Sequence, residues 1–358
     1  MDIRTIAEAL SAITPSPAEQ AARDAAHRQW ASIAKPLGSL GLLETALEDI
    51  AFLTCSEHIS LRPRTVLLLC ADNGVVRQGV TQTDHTVTAA VTRNAAKNCS
   101  SVCKMAAVAG CAVVPVDMGV IDFPPTPNVL DRRTGNGTAD ITQGPAMSRE
   151  QAEQAVLAGI GLVREQKEQG VHLLATGEMG IGNTTTSSAV ASVLLDRPVR
   201  EMTGRGAGLS DTGLRRKVWA IETALEKNRP NPGDPLDVLA KVGGFDIAGM
   251  CGIFLGGAIY RVPVLMDGFI STAAALCAVR LCPGAKKAVF ASHVSAEPAG
   301  RLILDKVGKK PLITAEMRLG EGTGAVALMP MLDMALALYS EGTTFDGTGI
   351  EAYTPQGE

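Results

Sequence analysis

Aromatic residues are scarce. Phe, Tyr and Trp together make up 3% of the 358 residues, leaving few platforms for base stacking, and this argues against a single-stranded nucleic-acid binder. The formal net charge is −4 and lysine and arginine form no long run. The electrostatic footprint of a DNA or RNA partner is therefore missing, as is a patch for anionic lipid. The opening "MDIRTIAEAL" lacks the basic-then-apolar order of a secretory signal. The most apolar stretch, "IAGMCGIFLGGAIY", is too short and too glycine-rich for a bilayer span and reads as a buried helix.

Only five histidines occur, and none has a serine elbow or cysteine partner, so a hydrolase triad is unsupported. His27 and His58 read as surface residues, His172 as a core residue inside a strand, and His85 and His293 as loop residues. The eight cysteines sit in apolar contexts. Cys99 and Cys103 are four apart, but no second pair or histidine completes a metal site. Buried, reduced thiols of a cytoplasmic protein are expected, with no metal.

What the chain does have is a recurring pattern. Short, continuous apolar runs end in polar or glycine residues and lead into small-residue helices: "TVLLLCADNG" (65–74), "CAVVPVDMG" (111–119), "VHLLATGEMGIG" (171–182), "VPVLMDGF" (262–269) and "KAVFASHVS" (287–295). Continuous rather than alternating apolar strands imply burial on both faces. Strands alternating with helices imply an α/β fold with a doubly wound parallel sheet. The runs end in Asp72, Asn73, Asp117, Glu178, Asp267, His293 and Ser295, which parallel strands would gather along one ligand-binding edge. The chain ends differ. Residues 1–60 and 305–358 are expected to form a small helical domain beside a Rossmann-like domain at 61–304. Within the former, Thr323–Tyr339 reads as a helix apolar almost all round, hence buried, and the residues after it as loose.

Three stretches could carry chemistry. "TGEMGIGNTTTSSAV" (176–190) plans a strand, a glycine turn and a helix start. Gly180 and Gly182 allow backbone N–H groups to approach an anion, and the helix N-terminus favours it. The Gly-Lys-Ser/Thr ending of a P-loop is missing, so no Mg–nucleoside triphosphate site is expected. On the glycines alone a plain capped turn explains as much, but Glu178 beside an anion cradle asks for another part of a ligand to face. "MTGRGAGLSDTGLRRK" (202–217) offers more glycines with Arg215, Arg216 and Lys217 as phosphate charge; a surface loop before a basic helix explains it equally well. In "RLGEGTGAV" (318–326), Glu321 precedes the apolar helix. Partial desolvation there would raise its pKa and suit it to general-base work, although a helix-start acid favoured by the dipole is the simpler explanation. No early strand carries Gly-x-Gly-x-x-Gly with an acid about 20 residues on, which argues against a nicotinamide-dinucleotide dehydrogenase.

Together these motifs resemble one family, the nicotinate-nucleotide–dimethylbenzimidazole phosphoribosyltransferases of cobalamin lower-ligand synthesis. The resemblance runs through "KPLGSLGLLE" (35–44), "ADNGVVRQGVTQT" (71–83), "VDMGV" (116–120), "GPAMSREQA" (144–152), the two glycine stretches above, "GGFDIAGMCGIFLGGA" (243–258) and "GEGTGA" (320–325). It implies attack of a lower-ligand base on C1′ of nicotinate mononucleotide, giving an α-ribazole 5′-phosphate and nicotinate without metal or cofactor. It implies Glu321 as general base and Glu178 as a carboxylate near base and ribose. Met179 is a further substrate-binding residue, Gly180, Gly182 and Asn183 stand near the phosphate with Gly206 and Lys217, and Ser295 contacts the nucleotide. Thr81 and His85 border the base pocket. A homodimer is implied, with a heteromer as the alternative assembly. Three positions depart from frequent family residues: Asn73 where many relatives have histidine, His85 where many have glutamine, and Leu37 where proline is frequent. Because Asn73 to His85 borders the base, benzimidazole, purine and phenolic acceptors all remain open, as does a catalytically idle nucleotide-binding subunit.

Overall fold

A computed structural model of the chain describes residues 3–353. Its centre is a parallel six-stranded sheet: β1 (Arg64–Ala71), β2 (Ala112–Gly119), β3 (Leu130–Asp131), β4 (Leu173–Met179), β5 (Val264–Met266) and β6 (Val289–Ala291). The spatial order is β3-β2-β1-β4-β5-β6. Chain order reverses between β1 and β4, the switch point at which doubly wound sheets open a crevice beyond their strand ends. Every residue of β1 is buried, as the continuous apolar run requires when helices cover both faces. The five runs named above supply five strands. The two-residue β3 carries no hydropathy signal and was not expected.

The helix Phe245–Tyr260 is buried along nearly its whole length and packs against both Arg149–Glu168 and the sheet. Helix starts follow local chemistry. Ser16 with Glu19 and Ser148 with Gln151 form reciprocal capping boxes, which satisfy amides that a helix leaves open. The two chain ends meet: the Trp30 and Tyr339 rings stand edge to face at 5.1 Å, Gln29 Nε2 donates to the Tyr339 carbonyl at 3.1 Å, and Ile33 bridges Thr344. Arg64, wholly buried, reaches from β1 to both oxygens of Asp333 at 2.8 and 2.7 Å.

Three details differ from expectation. His172 precedes β4 instead of lying inside it and is exposed. The helix Thr323–Glu341 is half buried, with Met334 66% exposed. It has the length and apolarity of a membrane span, yet it packs on β4 and on the helices Leu42–Thr54 and Ser101–Ala109. The polar tail holds a short helix, Phe345–Thr348, capped by Thr344; positions 354–358 of that tail lie outside the described residues. The cysteines are also mixed: Cys70, Cys103, Cys251 and Cys277 are buried, whereas Cys99 is exposed.

Candidate active site

A cavity of about 460 Å³ opens beyond the carboxyl ends of the strands, within the range of about 300–1,000 Å³ usual for small-molecule sites. Its wall contains Thr81, Glu178, Met179, Gly180, Gly182, Asn183, Gly206, Ser295 and Glu321. These come from well-separated segments of the sequence, and the parallel sheet brings them together. Two expected residues are absent from that wall. His85 is exposed at the start of the helix Thr86–Ala96, where Asp84 accepts the Thr86 N–H at 3.0 Å and the turn carries His85 outward. Lys217 is fully buried beneath the loop Gly204–Gly208, its Nζ donating to Thr184 Oγ1 at 2.9 Å and to the Gly204 carbonyl at 3.1 Å.

Two acids face each other because two backbones nearly touch. A Cβ on Gly177 would lie 2.5 Å from the Glu321 carbonyl oxygen, which only glycine permits. Glu321 itself adopts φ +60°, a left-handed conformation that costs a non-glycine residue about 1 kcal/mol or more. Asp267, at the end of β5, enforces it. Asp267 Oδ1 accepts from Gly324 N–H at 2.8 Å and Ala325 N–H at 3.1 Å, and Oδ2 from Gly322 N–H at 3.3 Å. One carboxylate thus gathers the open amides of the helix Thr323–Glu341 and fixes the turn that presents Glu321. The Glu321 carboxylate accepts Val102 N–H at 3.1 Å, at the positive end of the helix Ser101–Ala109.

Glu178 is the more deeply buried acid of the pair, and Glu321 is half-buried. Burial, then the nearby Asp246, push the Glu178 carboxyl well above the usual carboxylate range. Its Oε2 accepts from Asn183 Nδ2, which also donates to Asp246 Oδ2 at 2.9 Å. Asp246 is raised to about 6 by burial, with Asn183 and backbone donors opposing the shift. Burial and a neighbouring acid thus favour the protonated form of Glu178, an influence that its local sequence does not show.

The glycine loop carries a second surprise. Glu297 Oε1 accepts the Gly206 N–H at 3.0 Å. Burial lowers Lys217 to about 8, against the pull of Glu297. Arg215 and Arg216 turn away, Arg215 Nη2 to Thr212 and Arg216 Nη1 to the Gly79 carbonyl at 3.2 Å. Asp267, Glu297, Asp246 and Arg318 belong to the site or its support, yet sequence reasoning gave them no role. Asp267 was placed at the ligand edge as a strand-end acid; its hydrogen bonds to a segment more than 50 residues away leave no local trace.

The sheet and the cavity beyond its strand ends define an α/β protein with a small-molecule site, and comparison with known proteins supplies the reaction class. A model of a phosphoribosyltransferase family matches residues 15–350. The nicotinate-nucleotide–dimethylbenzimidazole phosphoribosyltransferase of Acetivibrio thermocellus is 46% identical, across 93% of this chain and 95% of its own. The enzyme of that name from Geobacter metallireducens is 43% identical, across 88% and 90%. The crystal structure of CobT from Thermus thermophilus superposes with a TM-score of 0.88 at 38% identity, covering 93% of this chain and all of that one. The chain belongs to the nicotinate-nucleotide–dimethylbenzimidazole phosphoribosyltransferase family.

Proposed function

We propose that this chain transfers the 5-phosphoribosyl group of nicotinate mononucleotide to 5,6-dimethylbenzimidazole or a close analogue. One observation carries the reading: Glu178 and Glu321 line one cavity whose other wall is the pair of glycine loops. The base nitrogen attacks C1′ as the C1′–pyridinium bond breaks. The electron pair of that bond returns to the ring, so nicotinate departs without a general acid, and a single displacement inverts C1′ to give the α-linked product. The attacking ring nitrogen acquires positive charge, and its partner N–H proton passes to Glu321, whose carboxylate is held toward the cavity by Val102 N–H. Glu178 orients the bound base or ribose through its carboxyl group. Gly180 and Gly182 meet the phosphate from their loop, and Gly206, its own N–H held by Glu297, borders it. Asn183, expected there, spends its amide on Glu178 and Asp246. Lys217 lends its charge from beneath, through Thr184 and Gly204. Anchoring the monoester holds C1′ in line for attack, so part of the rate comes from orientation.

We assign the acceptor side to Thr81, Met179 and the rim near Ser101, and Ser295 to the nucleotide. His85, exposed beyond the rim, is left a peripheral role. The division into a helical unit from residues 1–60 and 305–358 and a Rossmann-like unit at 61–304 belongs to this reading, as do cytoplasmic placement and a homodimer. The test is to incubate the purified chain with nicotinate mononucleotide and a panel of azole, purine and phenol acceptors and to identify products by mass. The reading expects equal amounts of nicotinate and a benzimidazole riboside phosphate; nicotinate mononucleotide left intact with every acceptor would reject it.

A further inference from the structure

We propose that Asp246 is a positioning residue of this site: through Asn183 it holds Glu178 in place and keeps it a hydrogen-bond donor facing the cavity. The inference rests on the transferase reading of that cavity. Asn183 is the first residue of the helix Asn183–Leu195, and its single amide nitrogen serves two carboxyls, Glu178 and Asp246. An NH2 group has two protons, so each acid receives one, and among the described residues neither has another side-chain donor. Both acids are buried, Glu178 at 7% and Asp246 at 0% exposure. Among the described residues, Asp246 Oδ1 has no hydrogen-bond partner. It is enclosed by backbone: a Cβ on Gly244 would lie 2.4 Å from Oδ1, and one on Gly180 would lie 2.8 Å from Oδ2.

The groups facing the pair make it hard to ionise twice. Asp267 and Glu321 face Glu178, from the end of β5 and the Gly320–Gly322 turn. Asp72, at the end of β1, faces Asp246 and is itself raised by burial; the titratable groups facing it are His85 and Asp117. Asp117 is held by Arg133 at 2.6 Å, and Cys70 lies beneath them, raised to about 12 by burial. Two acids in one dry site, with no cation between them among the described residues, share one proton. Of the two, Glu178 is pushed well above the usual carboxylate range and Asp246 only to about 6, and Glu178 is the one that borders the cavity, so Glu178 takes that proton. The consequence is a hydroxyl presented to the ligand where the chain otherwise offers an anion.

The test has two readouts. Infrared spectroscopy at neutral pH should show the carbonyl band of a protonated carboxyl group in the wild type, absent from Glu178→Gln and weakened in Asp246→Asn. In kcat/KM against pH for nicotinate mononucleotide and 5,6-dimethylbenzimidazole, Asp246→Asn should move the alkaline limb to lower pH by about one unit or more, the scale on which a close charge shifts a buried acid. The same change in a Glu178→Gln background should shift nothing. A band that survives Glu178→Gln, or a uniform loss of kcat with the limb unmoved, would overturn the proposal. If Asp246→Asn does not fold, the band in wild type and Glu178→Gln decides alone. The infrared arm needs no turnover, so an inactive wild type would reject the transferase reading without touching the proton assignment.

Discussion

The backbone of Glu321 presses against Gly177, its carbonyl oxygen 2.5 Å from where a Cβ would stand. This contact joins the end of β4 to the turn before the last long helix, two segments far apart in the sequence. It is why the two acids share one cavity. Gly177→Ala is expected to separate them. The substituted chain should lose about 3 kcal/mol or more of stability, from overpacking against rigid backbone, and most turnover. Chemical unfolding and product assays on the same preparation check both.

Asp267 should matter to rate more than to binding. Asp267→Asn exchanges one carboxylate oxygen for an amide that cannot accept from Gly322, Gly324 and Ala325 together. The Glu321 turn then loosens. The expected outcome is a kcat reduced about tenfold to a hundredfold, the cost of a small misplacement of a reacting group, with the KM for nicotinate mononucleotide within about threefold. A large KM change with kcat preserved would place Asp267 at the nucleotide instead.

Lys217 carries its charge at a cost in stability. Burial depresses it to about 8, so the folded chain binds fewer protons than the unfolded chain between about pH 8 and 10.5. Stability therefore rises with pH across that window, and the penalty is fully present below it. Lys217→Met should raise Tm at pH 7 by a few degrees and weaken nucleotide binding about tenfold to a hundredfold, as removal of a charge near phosphate does. In the wild type, affinity should fall as pH rises through about 8; calorimetric titration on either side of that value reads it. A pH-independent affinity, or no change in Lys217→Met, would remove the lysine from the phosphate site.

Asp333 ties the last long helix to the sheet. Burial would raise its pKa, but hydrogen bonds from Arg64 and Arg62 outweigh this and leave it lowered. A lowered acid contributes stability above its unfolded pKa and loses it as pH falls through the folded value. Asp333→Ala leaves the wholly buried Arg64 without its carboxylate, and about 3–5 kcal/mol of destabilisation is expected. Urea unfolding at pH 7 and pH 3 should show the difference between variant and wild type shrinking at the lower pH.

Much of this architecture was legible in the chain. Strands buried on both faces announce themselves as unbroken apolar runs, so β1, β2, β4, β5 and β6 stand where "TVLLLC", "CAVVPV", "VHLLAT", "VPVLM" and "KAVFA" predict them. The glycine loops were legible because close backbone approach leaves a compositional mark. Protonation was not. The partner of Glu321, the Val102 N–H at a helix start, comes from a segment 219 residues away. Glu178 gave no sign of its surroundings, yet burial, then the distant Asp246, push its carboxyl well above the usual range. Lys217 was read as phosphate charge without its burial, because nothing in "LRRK" tells which of three cations turns inward under Gly204 and Gly206. Each miss concerns an environment assembled from distant segments, which spacing and propensity do not encode.

The central claim is that Glu321 takes the proton released when the base attacks. Glu321→Gln keeps the shape and the Val102 N–H acceptor but cannot take a proton. Turnover of nicotinate mononucleotide with 5,6-dimethylbenzimidazole should fall by about 10²–10⁴, the usual worth of a general base, while calorimetry shows the nucleotide still binding within about threefold of wild type. Turnover at the wild-type rate in that variant would contradict the account.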